Sequence, residues 1–307
     1  MALTYNEVDA HVREKYIPVL VDQFYSSTPF MAQLMSKNRV VYDSGAKIDQ
    51  PVLYGDLPNG WYTGLDTFDI STRETTTLAK FEWKQSYVDV TIDGTTELKV
   101  EGDEKVLSIV ETKMENASKT FTRMFSQALF ATSQLTNAVH PLVTAIATTG
   151  TYGEIAKGTY SWWQGNVNTT GGAFDMNMLQ SMYGDCSDGV IQPDLIITTQ
   201  NIYDKIWLRA QPQQRGNLDN TPGIAKVGFT GISHNKATIL VDPYCPSGYI
   251  FVLNTDFWKC VVHKKRNMYW TQPKVPINQD AFVRQLLWAG AVVCSAPKWQ
   301  GYISNVS

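Results

Sequence analysis

The sequence predicts an α+β fold that is organised around one long amphipathic helix. Between residues 103 and 133, apolar residues recur at steps of three and four, and charged residues fill most of the other positions. Such a helix would be roughly 45 Å long and would serve as a spine for other elements. Extended segments precede it and a series of strand-like segments follows it. The predicted core face of the spine helix carries Val106, Val110, Met114, Phe121 and Phe125.

The composition is typical of a globular protein with a large contact surface. The chain has 307 residues, of which 43% are hydrophobic and 18% charged, and it is rich in Trp, Tyr and Phe. Such a composition favours extensive buried contact, including contact between chains. The formal net charge of -3 gives no electrostatic case for tight nucleic-acid binding and causes little repulsion between copies.

The first 44 residues are predicted to form an arm. A helical pattern at residues 8 to 20 is interrupted by Pro18, and a second short helical patch follows Pro29, which suits a first helical turn. We expect the arm to lie on the body of its own chain or on a neighbour. The amino terminus lacks the pattern of a signal peptide, and the apolar run at residues 286 to 296 is too short to cross a bilayer.

Two strand-like segments, residues 45 to 54 and 78 to 92, predict a long hairpin. In the second segment the alternation of apolar residues changes phase near Gln85, which predicts a bulge or a bend. The connection is too long for a tight turn, and its aromatic side chains have no core of their own on a two-stranded projection. They either fold back on the domain or dock on another subunit. The predicted contact residues are Leu57, Pro58, Trp61, Tyr62, Leu65 and Phe68.

The second half of the chain predicts a mixed body of helices and strands. Asp175 is suited to cap a short helix at residues 176 to 183, which Gly184 would end. A buried strand at residues 195 to 199 is followed by a helix from Gln200 to about Arg209. Further strands are predicted at residues 237 to 241, 249 to 253, 258 to 262, 282 to 293 and 300 to 304.

Sequence motifs for catalysis, cofactors or metals are missing from the chain. It has no Gly-x-Ser-x-Gly, no His-Glu-x-x-His and no phosphate-binding glycine loop, so we predict no catalytic, cofactor-binding or metal-binding residues. The four histidines are far apart, and the four cysteines are expected to be reduced and buried. A basic run after His263 could contact a phosphate backbone, although such runs are usually solvated turns. The residues of this run are Lys264, Lys265 and Arg266.

The order of these features is more informative than any single motif. An arm, a long hairpin, a strand at residues 81 to 84, a break at residues 92 to 94 and a spine helix before a Gly, Ala and Thr rich passage follow one another. Segments at residues 193 to 199, 211 to 215, 228 to 232, 253 to 255 and 276 to 281 agree with the same order. Over about residues 45 to 303, the chain resembles a tailed-bacteriophage major capsid protein of the Hong Kong 97 type.

This resemblance implies a domain organisation and a function. The arm would occupy residues 1–44, the extended loop and its return strand 45–92, the peripheral domain 93–140 and 257–307, and the axial domain 141–256. The protein would be a structural subunit and not an enzyme. Its copies would assemble into hexamers and pentamers of an icosahedral head that encloses double-stranded DNA.

The implied partners follow from the same resemblance. They are copies of the chain itself, scaffolding and portal proteins, a decoration protein, and DNA that is contacted non-specifically, with no cofactor and no membrane. The candidate genome-facing residues are Lys264, Lys265 and Arg266. The protein would be found in the virion after assembly in the host cytoplasm. Two other interpretations stay open: an encapsulin-like shell of the same fold around protein cargo, and an α/β hydrolase-type enzyme whose site is assembled from distant residues.

Overall fold

A computed structural model describes residues 28–37, 39–42, 45–94, 103–210 and 232–307. The helical pattern at residues 8 to 20 and the segments at residues 211 to 215 and 228 to 231 lie outside the described residues. So does the side chain of Val106, although the backbone there is helical.

The predicted helices that the structure describes lie close to their expected positions, and a short helix at Leu142–Ile146 was not predicted. The long helix starts at Asp103, as predicted, but it ends four residues before Ser133 because Phe130 turns inward between the rings of Phe30 and Phe251. The helix that Gly184 was expected to end continues through that residue, and the buried Cys186 closes it by donating from its backbone N–H to the Met182 carbonyl. The described helices are α1 (Pro29–Lys37), α2 (Asp103–Leu129), α3 (Leu142–Ile146), α4 (Met176–Asp185) and α5 (Gln200–Ala210).

One predicted cap is wrong in its details. Asp175 precedes α4 with an extended backbone, but its side chain makes no capping hydrogen bond. The carboxylate instead accepts a hydrogen bond from Asn177 and forms an ion pair with Arg209 of α5. Asp175 therefore ties α4 to α5 rather than closing the first turn of its own helix.

A five-stranded sheet lies against the long helix. Its longest strand, β14 (Ala281–Cys294), pairs along ten residues with β4 (Lys84–Asp93) on one edge. It also pairs with β12 (Trp258–His263) and β13 (Tyr269–Trp270). Trp288 of β14 is buried beneath α2, with its ring centroid 5.0 Å from that of Phe125 and 6.2 Å from that of Phe121. The strands are β1 (Arg39–Tyr42), β4 (Lys84–Asp93), β12 (Trp258–His263), β13 (Tyr269–Trp270) and β14 (Ala281–Cys294).

A six-stranded mixed sheet carries the second core. Helices α4 and α5 bury Leu179, Ile202 and Ile206 in this core, which confirms the predicted strand and helix after residue 195. The strand order is β7 (Asn166–Asn168), β15 (Gly301–Ile303), β11 (Ile250–Leu253), β8 (Leu195–Thr198), β10 (Ala237–Val241) and β9 (Ile232–His234).

Two hairpins complete the described fold. In the long one, β2 (Ile48–Leu53) pairs antiparallel with β3 (Thr76–Phe81), and in the short one β5 (Thr151–Tyr152) pairs with β6 (Ile155–Ala156). The predicted change of phase is confirmed, but it lies at residues 82 to 83 and not near Gln85. The indole of Trp83 donates to the Gly45 carbonyl at 2.9 Å, which takes that residue out of the strand alternation.

The described part of the arm lies on its own chain. Phe30 of α1 is fully buried, and its ring packs edge-on against the rings of Phe130 and Trp258. Gln33 donates to the side chains of Asp194 and Thr255. The four cysteines are free and buried, as predicted.

Candidate assembly surface

The segment that joins β2 to β3, residues 54 to 75, is called the distal loop. It carries all six of the residues that were predicted to contact another subunit. Trp61 and Leu65 are fully exposed, while Leu57, Tyr62 and Phe68 are 65–68% exposed and Pro58 is half-buried. Ile70 is 91% exposed and belongs to the same apolar set, although the prediction from sequence missed it. Whether these side chains contact a neighbouring copy stays a prediction.

The distal loop has local order of its own. The rings of Tyr62 and Phe68 meet edge to face, with centroids 5.0 Å apart. The Thr63 backbone N–H donates to the Asp66 carboxylate at 2.8 Å, and Arg73 pairs with Asp69 at 3.0 Å. The loop thus presents its aromatic side chains on a shaped projection.

The two ends of the distal loop meet. The backbone N–H groups of Tyr54 and Gly55 both donate to the Thr75 carbonyl, at 2.9 and 3.4 Å. The Tyr54 ring stacks on Trp162, with centroids 4.8 Å apart and planes 14° from parallel. The loop therefore begins and ends at one fixed place on the body.

At the base of the long hairpin, Phe81 of β3 packs against Tyr152 and Gly153, which are buried, and against half-buried His140. We call these four residues the root cluster. The Phe81 ring lies 4.9 Å from that of Tyr152 and 6.2 Å from that of His140. Burial raises the pKa of Tyr152 and lowers the pKa of His140. The Tyr152 hydroxyl accepts from the Cys294 N–H at 2.9 Å, which joins the root cluster to β14.

The short hairpin fits closely beneath β3. Its two turn residues, Gly153 and Glu154, have φ of +61° and +64°, as a two-residue turn between twisted strands requires. The Gly153 carbonyl accepts from the Lys80 N–H at 3.0 Å, and Glu154 forms an ion pair with Lys47. A Cβ at Gly153 would lie 2.8 Å from the Phe81 ring, so the approach requires glycine.

Lys157 stabilises the segment under the root cluster. Its ammonium is buried and donates to the carbonyls of Thr144, Ala145 and Ala147 at 3.1, 2.6 and 2.9 Å, at the carboxyl end of α3. Burial lowers the pKa of this amine to about 7. The three carbonyls stabilise the charged form and act against that shift.

The predicted core face of α2 lies against the first sheet. Met114, Phe121 and Phe125 are buried, and Val110 is half-buried against the same core. This face holds the spine helix on its own chain.

The basic run forms a short exposed turn, Lys264–Arg266, at the end of β12. Arg266 donates to the Gln85 side chain of β4 at 2.7 Å, and the His263 ring lies 5.4 Å from that of Trp83. The run therefore lies at the end of the first sheet where β12 ends and β4 begins. Contact with a genome stays a prediction for these residues.

Candidate sites for chemistry in the described residues are few. An open cleft of about 570 Å³ is lined by hydroxyl, amide and apolar side chains, with Asp185 as its one ionisable residue. Asp242 is buried in the turn after β10, where burial raises its pKa to about 6 and the Tyr244 N–H bonds to its carboxylate. In the ranges that the structure covers, no three His, Cys, Asp or Glu side chains group as metal ligands. Nor does any described helix have the length and apolar character needed to cross a bilayer.

Comparison with known proteins identifies the fold. No family model matches the chain, and neither does any curated protein. The cyanophage A-1(L) capsid matches with a TM-score of 0.65 over 91% of this chain and 93% of that chain, at 16% identity. The chain has the Hong Kong 97 type capsid fold. The predicted fold class is thereby confirmed.

Two further structures show how widely the fold is shared. The satellite phage P4 procapsid, which includes a size determination protein, matches with a TM-score of 0.52 over 99% of this chain and 97% of that chain, at 11% identity. The SrpI encapsulin from Synechococcus elongatus PCC 7942 matches with a TM-score of 0.56 over 92% of this chain and 89% of that chain, at 9% identity. These relatives in fold are shell proteins rather than enzymes.

Proposed function

We propose that this protein is the major capsid subunit of a tailed phage, and that its copies assemble into hexamers and pentamers of an icosahedral head around double-stranded DNA. The observation that carries this proposal is the exposed apolar surface of the distal loop. Soluble proteins rarely display several large apolar side chains together unless the patch is an interaction site. The capsid fold supplies the class of partner, which is a second copy of the chain.

The energetics of the distal loop agree with this role. Burying a side chain such as Leu65 or Phe68 contributes roughly 1.5–3 kcal/mol. The loop offers several such groups at once, and each copy in a closed shell would both donate a loop and receive one. Individually weak contacts then suffice, because each subunit makes many of them.

The domain division predicted from the sequence is retained in the proposal. Residues 1–44 would be the arm, 45–92 the extended loop, 93–140 and 257–307 the peripheral domain, and 141–256 the axial domain. The five-stranded sheet against α2 and the six-stranded sheet with α4 and α5 support two such bodies. The last strand, β15, belongs to the six-stranded sheet, so the chain would return to the axial body at residues 301–303.

Scaffolding, portal and decoration proteins are proposed as further partners, and the enclosed DNA would be contacted non-specifically. The P4 procapsid supports the first of these, since a size determination protein accompanies that shell. We place the assembled protein in the virion and its assembly in the host cytoplasm.

A second candidate function is a shell around protein cargo. The likeness to the SrpI encapsulin supports this alternative, because the same fold serves there as a protein compartment. The contents of purified particles distinguish the two functions: nucleic acid supports the phage head, and a co-purifying enzyme supports the compartment.

The central experiment removes residues 56 to 71. Gly55 and residues 72 to 74 then remain as a short connection between Tyr54 and Thr75, whose backbones are already hydrogen-bonded. We expect the shortened chain to fold but to form no closed particles by light scattering and electron microscopy. A hydrolase-type enzyme would keep its activity after the same deletion.

A matched pair of substitution variants controls for indirect effects. Changing Trp61, Leu65 and Phe68 to Ser removes apolar surface from the distal loop, whereas changing Asn59, Thr63 and Thr67 to Ser leaves that surface in place. We expect only the first variant to lose assembly. Normal closed particles from the first variant would contradict the proposed function of the loop.

A further inference from the structure

The distal loop contains the one Asn-Gly pair of the chain, Asn59–Gly60. Both residues are exposed, and the fully exposed Trp61 follows them. Among the described residues, none accepts a hydrogen bond from the Gly60 backbone N–H, and the next hydrogen bond along the loop is that of the Thr63 N–H. A Cβ added at Gly60 would meet no atom within 4 Å. The Gly60 nitrogen is therefore open to approach from the side chain of Asn59.

This pair has the groups for a reaction within the chain. The Gly60 backbone nitrogen, after giving its proton to hydroxide, attacks the side-chain carbonyl carbon of Asn59. A new C–N bond closes a cyclic succinimide, and the side-chain nitrogen of Asn59 leaves as ammonia. Water then adds to either ring carbonyl and opens the ring, which leaves an aspartate or an isoaspartate at this position. The net reaction consumes water, releases ammonia and needs no other reactant.

The absence of a Cβ on Gly60 favours this reaction. A side chain on the following residue would crowd the attack and would restrict the backbone conformations that bring the two atoms together. Regular secondary structure hinders the attack in another way, because acceptors hold its backbone N–H groups. Asn59 escapes both restrictions, since it precedes a glycine in a loop that leaves the attacking N–H without an acceptor among the described residues.

Another exposed asparagine, Asn305, shows the opposite situation. Its side chain donates to the Thr169 carbonyl at 2.9 Å. The nitrogen that would attack it, that of Val306, donates to the Gly248 carbonyl at 3.0 Å. Both reacting groups are therefore held, and we expect Asn305 to react far more slowly than Asn59.

The product alters the distal loop where its apolar side chains are exposed. The new carboxylate is ionised at neutral pH and lies next to Trp61 in sequence. An isoaspartate also lengthens the main chain by a methylene group. Burying an unpaired charge is much less favourable than burying a neutral amide. The reaction should therefore weaken the burial of this part of the loop against a partner.

We propose that Asn59–Gly60 is a site of spontaneous deamidation that limits how long an unassembled subunit stays competent for assembly. The effect on assembly rests on the proposed function, because it depends on burial of the distal loop between copies. In a shell, a loop held against a neighbouring copy is prevented from bending into the ring-closing geometry. The site therefore distinguishes fresh subunits from aged ones and is protected once the shell has formed.

The first test measures the reaction in the unassembled wild-type subunit by peptide mapping and mass spectrometry in mildly alkaline buffer. We expect conversion at Asn59 to be at least about tenfold faster than at Asn305, and Gly60→Ala to slow it by a similar factor through its added methyl group. Gly60→Ala should still fold, because the space around the residue is open and its φ lies outside the left-handed region. Equal rates in the wild type and in Gly60→Ala would overturn the proposal.

The second test places the new charge in every chain. Freshly purified Asn59→Asp should lower the yield of closed particles by about tenfold or more, because its carboxylate opposes burial of the loop. Asn59→Gln keeps a neutral amide and should assemble as the wild type does. The control for charge alone is Asn201→Asp, an exposed position in the first turn of α5 that favours a carboxylate. A normal yield from Asn59→Asp would overturn the proposed limit on assembly.

The third test follows aged chains into particles. Aged wild-type subunits are allowed to assemble, and the particles are separated from the chains that remain free. Deamidated Asn59 should be enriched among the free chains, and aged Gly60→Ala should assemble as well as the fresh variant does. Equal proportions of deamidated chains in the two fractions would contradict the proposal.

Failure of this inference and failure of the proposed function give different results. The rate at Asn59 is measured on the unassembled subunit, so a stable amide overturns the inference and leaves the capsid function untouched. Fresh wild-type chains that form no particles overturn the proposed function, and with it the effect of deamidation on assembly.

Discussion

The distal loop and the root cluster lie on the same hairpin but in opposite environments. At the root, Phe81 is buried against Tyr152. In the loop, the same type of residue, Phe68, is 66% exposed. Both segments are rich in aromatic residues, so composition alone does not distinguish them. The root is stabilised by its own chain, whereas the apolar surface of the loop can be removed from water only by a partner.

The largest expected effect separates the two regions by stability. Phe81→Ala should lower the free energy of unfolding by about 3–5 kcal/mol, because it leaves a cavity among buried rings. Phe68→Ala should change it by less than about 0.5 kcal/mol, since that side chain is exposed. Urea unfolding of the unassembled subunit measures both, and equal losses would contradict the comparison.

The next effect concerns the support beneath the root. Lys157→Met should lower the free energy of unfolding by about 3 kcal/mol, because one buried carbonyl and two partly buried carbonyls lose their donor. The control is Lys80→Met, an exposed position on β3 that should change the free energy of unfolding by less than about 0.5 kcal/mol. A small loss at Lys157 would mean that water replaces the ammonium.

A smaller effect tests the close contact between the two hairpins. Gly153→Ala should cost about 1–3 kcal/mol, because the residue has a positive φ and its new Cβ would meet Phe81. Gly150 also has a positive φ, of +88°, but has open space around it. The cost of Gly150→Ala should therefore be lower, and equal costs would show that backbone strain alone decides both.

The smallest effect is a pH dependence at the root. Burial, with a contribution from Lys84, lowers the pKa of His140, while Glu82 acts in the opposite direction. His140 then binds a proton more readily in the unfolded chain than in the folded chain. Its contribution to the free energy of unfolding is therefore fully present above the ordinary pKa of 6.5 and is lost as the pH falls below that value. In urea unfolding at a series of pH values, His140→Gln should lose less stability on acidification. An unchanged pH profile would exclude His140 as the cause.

Periodicity made much of the fold predictable. The start of α2, the phase change before β4 and the buried strand β8 all follow from local apolar patterns. The end of α2 was placed too late because Phe130 packs on Phe30, which lies about a hundred residues away in sequence. Exposed aromatic residues in a turn-rich connection were enough to predict the distal loop.

Contacts between distant segments could not be predicted in the same way. The pairing of Tyr87 with Leu287, and of Leu287 with Tyr269, depends on the register of three strands. Lys157 has no pattern around it that indicates three carbonyl acceptors. Ile70 could have been found, because it is another apolar residue in the same polar connection.

The meeting of the two loop ends has a further consequence. Tyr54 and Thr75 form a fixed attachment for whatever sequence lies between them, so the length and content of that stretch are uncoupled from the folding of the rest. The position is suited to act as a cassette. A foreign peptide or a longer homologous segment could be transplanted there, and the reach of the subunit toward its neighbours could diverge while both sheets stay unchanged.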